Sequence, residues 1–190
     1  PSAFVAGRGE TVRPVVVEGP RWVVLANPGF GVNTKWAYQE LAAGRTGVRP
    51  LSPAQCELDR QSRMSWAQLI AEAENDFEAP VFAAHGKLRE IKQSLQAQGA
   101  EIALLSGSGA TVFGVFTDQT VARLAQSKLA SDPLMTVFVV PTCSGALLVQ
   151  EELPRSVLVD KPPYIPLHSD PLVAFLNSAQ QTELCGSSLR

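Results

Sequence analysis

The residues of this chain best suited to chemistry are short polar side chains set among glycines. In Leu104-Leu105-Ser106-Gly107-Ser108-Gly109-Ala110-Thr111-Val112-Phe113, two apolar runs flank a Ser-Gly-Ser-Gly-Ala turn. Glycine adopts positive φ without a Cβ penalty and leaves neighbouring N–H groups uncovered, so an anion or another stretch of backbone can come close. The plainer reading is a hairpin whose glycines serve only the turn. The stretch lacks the lysine and following Ser/Thr of a nucleotide P-loop, so alone it does not specify a nucleotide. Asn75, Asp76 and Glu78 set two carboxylates close together. Such a pair suits a metal or proton transfer, but capping and solvating a helix start is the preferred reading here. Thr34 has the type of a helix N-cap. Trp36 and Tyr38 would then lie about 200° apart on the helix wheel, so at most one can reach the core and the other is left for another task. His85 and His168 have no neighbouring ligand pattern, and no metal site is expected.

Composition bounds what these groups can serve. With 190 residues, 45% of them hydrophobic, the chain can bury roughly 70% of its unfolded surface, enough for one domain with a real core. Sixteen basic and eighteen acidic residues give a formal net charge of -2. No Lys/Arg run supplies a phosphate-tracking stripe, so neither nucleic acid nor an anionic membrane is an expected partner. No apolar run reaches the ~20 residues of a membrane-spanning helix, and the start lacks a basic segment followed by an apolar one, which together lead to the expectation of a cytoplasmic protein. Cys56, Cys143 and Cys185 are widely spaced and odd in number. They read as reduced structural thiols rather than a disulfide framework or a zinc knuckle.

The elements that must position these residues are legible in order. Phe4-Val5-Ala6 runs into a Gly-x-Gly turn and then Val15-Val16-Val17, a hairpin signal; Arg21 to Ala26 is an apolar strand stopped by Asn27-Pro28-Gly29. A helix from Lys35 to about Ala43 follows, with Thr34 as N-cap and Gly44 beyond its end. Residues 45 to 63 have little periodicity and read as a loop. Ser65 caps a short helix to Ala73, Pro80 sits in the first turn of another to Ala83, and Leu88, Ile91 and Leu95 mark a longer one from Gly86 to Gln98. The hairpin of 101 to 116 follows, then a helix from Asp118 to Ala130 and a strand from Leu134 to Val140. Without the helices inserted after the first strand, the order is β-α-β-β-α-β, an α+β ferredoxin-like split βαβ sandwich. The tail reads as an edge strand at Leu153 to Asp160 and a short helix at Asp170 to Asn177, separated by prolines.

Four stretches then carry a resemblance: Gly7-Arg8-Gly9-Glu10; Asn27-Pro28-Gly29-Phe30-Gly31-Val32-Asn33-Thr34 with Tyr38 just after; Asn75-Asp76-Phe77-Glu78; and Leu105-Ser106-Gly107-Ser108-Gly109-Ala110-Thr111-Val112-Phe113-Gly114. In order and spacing they resemble the C-terminal half of the GHMP kinase superfamily (galactokinase, homoserine, mevalonate and phosphomevalonate kinases), in the branch that acts on 4-diphosphocytidyl-2-C-methyl-D-erythritol. The resemblance implies residues 1–20 as a remnant of inter-domain strands, 21–141 as the GHMP kinase C-terminal domain, and 142–190 as a tail of unassigned structure.

The resemblance also implies ATP-dependent, Mg2+-assisted phosphorylation of the 2-hydroxyl of that cytidine-diphosphate-linked substrate, in non-mevalonate isoprenoid synthesis, in the bacterial cytoplasm or the plastid stroma. Tyr38 falls where the family places an aromatic ring on the cytosine, a contact that grips any flat π-face at about 1 to 3 kcal/mol per base. Thr34 falls beside the nucleotide end of the substrate, and Gly107, Ser108 and Gly109 at the cleft facing the phosphate-binding half. The family's lysine, catalytic aspartate and ATP-phosphate loop belong to an N-terminal half with no counterpart in this sequence. The implied partner is therefore that N-terminal kinase domain. No catalytic residue is expected here, nor kinase activity from this chain alone, and an exposed domain interface would drive self-association. The alternative is a non-catalytic ferredoxin-like module binding a small ligand or a partner.

Overall fold

The computed structural model describes residues 2–143, apart from residues 8, 46, 48, 49 and 51. Arg8, His168, Cys185 and the tail elements expected at Leu153 to Asp160 and Asp170 to Asn177 lie outside the described residues. In chain order the elements are β1 (Ser2–Ala6), β2 (Thr11–Val17), β3 (Trp22–Asn27), α1 (Thr34–Ala43), α2 (Pro53–Arg60), β4 (Arg63–Met64), α3 (Trp66–Glu72), α4 (Glu78–Ala84), α5 (Gly86–Ala97), β5 (Ile102–Leu105), β6 (Val112–Phe116), α6 (Gln119–Leu129) and β7 (Thr136–Pro141).

β3 carries no charge, glycine or proline, so it tolerates neighbours on both edges and both faces. It pairs antiparallel with β6 on one side and β7 on the other, and β5 pairs with the far edge of β6. The resulting order, β5-β6-β3-β7, is the expected split βαβ arrangement. β1 and β2 form an antiparallel hairpin, and β2 takes β4 as a short parallel neighbour in a separate small sheet.

Strand periodicity divides the core in two. On one face Val24, Ala26, Leu105, Val112 and Phe116 meet Val81, Leu88, Ile91, Leu95, Ala122 and Ala125 of α4, α5 and α6. On the other, Val23, Ile102, Leu104, Phe113 and Val115 meet Trp66, with Leu69 and Ile70 beside it. A split βαβ unit by itself puts its helices on one face; here the inserted α3 covers the second. Burial on both faces explains why β5 and β6 are apolar at every position. The Trp66 indole remains satisfied, its Nε1–H donating to the Gly19 carbonyl at 2.9 Å. Cover ends at β7, where Phe138 and Val140 stay 58% and 40% exposed; Val12 and Val16 of β2 are exposed as well.

The expected loop over residues 45 to 63 instead contains α2 and β4. α2 opens with a capping box in Ser52-Pro53-Ala54-Gln55: the Ser52 hydroxyl accepts the Gln55 N–H at 3.1 Å, and the Gln55 side chain accepts the Ser52 N–H at 2.9 Å. That Ser-x-x-Gln signal was available in the sequence. The apolar stripe was not, because α2 meets Val15 and Met64 chiefly through Leu58. The expectation of reduced thiols holds at Cys143, a reduced thiol, and fails at Cys56, which is disulfide-bonded.

Phe113→Ala, on the face that α3 covers, is expected to cost about 3 to 5 kcal/mol of unfolding free energy by urea denaturation. A cost under about 0.5 kcal/mol, as for an exposed residue, would contradict the second layer.

Candidate functional site

The ends of β3 and β5, the start of β6 and the start of α1 come together at one end of the sheet. After β3, Asn27 shapes the loop: its Oδ1 accepts the Gly29 N–H at 2.9 Å, and its Nδ2 donates to the Thr111 hydroxyl at 3.1 Å. Gly29 has φ +80°, and a Cβ there would sit 2.7 Å from the Leu134 carbonyl oxygen, so only glycine lets the loop lie against the start of the last strand. The N-cap of α1 is Asn33, whose Oδ1 accepts the Trp36 N–H at 3.0 Å. Thr34 is thus the first helical residue rather than the cap, because the Asn33 side chain already fills that role. Its hydroxyl instead shares a 3.0 Å hydrogen bond with the hydroxyl of Ser108. Two residues singled out separately in the sequence therefore meet.

The glycine-rich turn is closed by Ser106 N–H to the Thr111 carbonyl at 2.8 Å and Gly109 N–H to the Ser106 carbonyl at 2.9 Å. Its two glycines do different jobs. Gly109, at φ +93°, faces inward, where a Cβ would stand 3.1 Å from Leu105 Cδ1; Gly107, at φ +54°, faces open space. The Gly109 amide is therefore spent on the turn, whereas those of Gly107 and Ser108 have no acceptor among the described residues. These two N–H groups, the Thr34 and Ser108 hydroxyls and the positive end of α1 make a donor-rich surface suited to an anion.

Tyr38 lies one turn along α1 from Thr34 and on the same side of the helix. It is 53% exposed and meets the edge of Phe77 at 4.9 Å, with the rings nearly perpendicular. Trp36 takes the other course foreseen for the pair and packs against the core. The two rings thus divide as the wheel required.

The Asn75 amide donates to the carbonyls of Leu105 at 2.7 Å and Gly107 at 2.8 Å, while Glu78 Oε1 accepts the Leu105 N–H at 2.9 Å. The sequence supports a structural role for this element, but the partner is the glycine-rich loop, a contact across some thirty residues that no local signal encodes. Asp76 pairs with Arg45, and Glu78 with Lys92 at 2.5 Å. His85 stacks against Phe30 and meets the edge of Trp36. Among the described residues no group of three His, Cys, Asp or Glu is placed to hold a metal.

Residues 57–133 match the family model described as GHMP kinases C terminal. The chain carries a GHMP kinase C-terminal domain. It is 39% identical over 131 residues to the 4-diphosphocytidyl-2-C-methyl-D-erythritol kinase of Syntrophotalea carbinolica, covering 68% of this chain and 44% of that protein. It is 35% identical over 142 residues to the protein of that name from Rhizobium etli, covering 74% and 46% respectively. The fold is shared with a crystal structure of 4-(cytidine 5'-diphospho)-2C-methyl-D-erythritol kinase at a TM-score of 0.50 and 22% identity, over 71% of this chain and 47% of that one. The chain spans somewhat less than half the length of these relatives. No helix among the described residues is long and apolar enough to cross a membrane.

Asn33→Ala is expected to lower stability by about 1 kcal/mol through loss of the α1 cap. Thr34→Ala, which removes only an exposed hydroxyl pair, should cost roughly half that or less. Urea denaturation of the two variants side by side checks the order; the reverse order would restore Thr34 as the cap.

Proposed function

We propose that this domain is the substrate-side half of an ATP-dependent kinase that phosphorylates the 2-hydroxyl of 4-diphosphocytidyl-2-C-methyl-D-erythritol, a step of non-mevalonate isoprenoid synthesis. The observation that carries the proposal is the meeting of the Thr34 and Ser108 hydroxyls at 3.0 Å, at the start of a helix that offers the Tyr38 ring one turn further on. A cytidine diphosphate has the matching design, a flat base joined through a ribose to an anion. The ring of Tyr38 stacks on the cytosine, its edge contact with Phe77 limiting its rotation. The Thr34 hydroxyl and the α1 terminus donate toward the phosphate oxygens of the cytidine diphosphate, and the Gly107 and Ser108 amides donate toward the group being transferred.

Phosphoryl transfer draws on positioning and on donors that stabilise charge spread over the transferred group. This domain supplies such donors and a base-binding surface. A group to activate the substrate hydroxyl, and the loop that cradles the ATP phosphates, come in this proposal from a partner N-terminal kinase half. The carboxylates near the loop do not fit a Mg2+ site, since Asp76 is held by Arg45 and Glu78 by Lys92 and the Leu105 N–H. A metal that accompanies ATP would be held by the other half.

Calorimetric titration of this chain with cytidine 5'-diphosphate should show binding that Tyr38→Ala weakens by roughly 1 to 3 kcal/mol and that Tyr38→Phe leaves nearly unchanged. Equal affinity for the wild-type and Tyr38→Ala chains would remove Tyr38 from the site. Incubated alone with ATP and the cytidine substrate, this chain should release no ADP above background; substrate-dependent release from material free of a second kinase chain would overturn the division of labour.

A further inference from the structure

Asn75 and Glu78 have every polar side-chain atom already engaged. Asn75 donates both amide hydrogens, to Leu105 and Gly107, and its Oδ1 accepts the Phe77 N–H at 2.9 Å. Glu78 divides its carboxylate between the Leu105 N–H at 2.9 Å and the Lys92 ammonium at 2.5 Å. The Glu78 and Lys92 side chains are only 16% and 20% exposed. Groups so committed are poor candidates for binding a ligand or moving a proton. What they govern is the direction of the backbone.

The Gly107 carbonyl and the Ser108 N–H belong to one planar trans peptide unit and point in opposite directions. Holding that carbonyl at 2.8 Å therefore aims the Ser108 N–H away from Asn75. Gly107 has φ +54° and a Cβ there would meet nothing within 4 Å, so no side chain packs over this position. Glu78 holds the Leu105 N–H just before the turn, and Lys92 of α5 holds Glu78. The chain of contacts runs from a packed helix to a single backbone donor.

We propose that Asn75, braced by Glu78, is a positioning residue for phosphoryl transfer: it fixes the direction in which Ser108 N–H donates and so governs turnover rather than cytidine affinity. The proposal rests on the kinase reading above. The test uses this chain together with its kinase N-terminal half and compares wild type with Asn75→Asp. Aspartate keeps the size of the side chain and the acceptor for Phe77 N–H, but turns an oxygen toward two carbonyls. Amide exchange at Ser106 and Gly109, whose N–H groups are bonded within the turn, should then be at least about tenfold faster. The value of kcat should fall roughly tenfold to hundredfold, as for a misplaced transfer group, while KM for the cytidine substrate stays within about threefold. Asn75→Ser keeps an acceptor for Phe77 and loses both donors to the loop, and it serves the same comparison should the aspartate variant fail to fold.

Unchanged exchange at Ser106 and Gly109 would overturn the clamp whatever the activity. Faster exchange with unchanged kcat, or a rise in KM alone, would overturn its assignment to the transfer step. Absence of transfer by the wild type would instead sink the kinase reading, and the exchange comparison would still decide the clamp.

Discussion

The structure depends on one constraint: β3 is covered on both faces and paired on both edges. A strand in that position can carry neither charge nor proline, and Trp22 to Asn27 has neither. Its pairing with β6 and β7 fixes the register of the sheet, and register decides which side chains face α3 and which face α4, α5 and α6. The same pairing sets Ala26 opposite Val112 at the mouth of the glycine-rich hairpin. The loop after β3 and the turn before β6 thus become neighbours by sheet geometry. Asn27, bonded to Thr111, ties them.

At that end of the sheet, irregular backbone is held by side chains rather than by ladders. Asn27, Asn33 and Asn75 each accept an N–H two or three residues on, and Asn27 and Asn75 also donate to the hairpin. Asparagine suits this work because it carries donors and an acceptor on one short arm. Among the described residues, no buried side-chain polar atom lacks a partner. The donors left over are backbone amides and hydroxyls at the open side of the loop, where a ligand rather than the protein can meet them.

A second surface has the opposite character. Phe138 and Val140 on β7 leave apolar area exposed where cover of the larger sheet stops, and Val12 and Val16 of β2 are exposed on the smaller sheet. The curated relatives are more than twice the length of the matched region. An apolar surface and a domain about half the length of its relatives both agree with the proposal that another domain completes the cleft.

Apart from α2 and β4, the sequence by itself determined the elements among the described residues and their order, because the period of apolar residues, the Asp118 and Ser65 caps and the Pro-Gly and Ser-Gly turns are local signals that local physics enforces. It also determined that Trp36 and Tyr38 could not share a core, since helix geometry alone separates them. Where the apolar stripe was thin, as in α2, even a good capping box did not suffice to mark the helix. Tertiary structure alone decided that α3 would cover the second face and that Asn75 would bind the carbonyls of a loop thirty residues away. Those outcomes depend on which polar groups arrive within about 3 Å of one another once the sheet has formed, a distance that hydrogen bonding demands and that spacing along the chain does not encode.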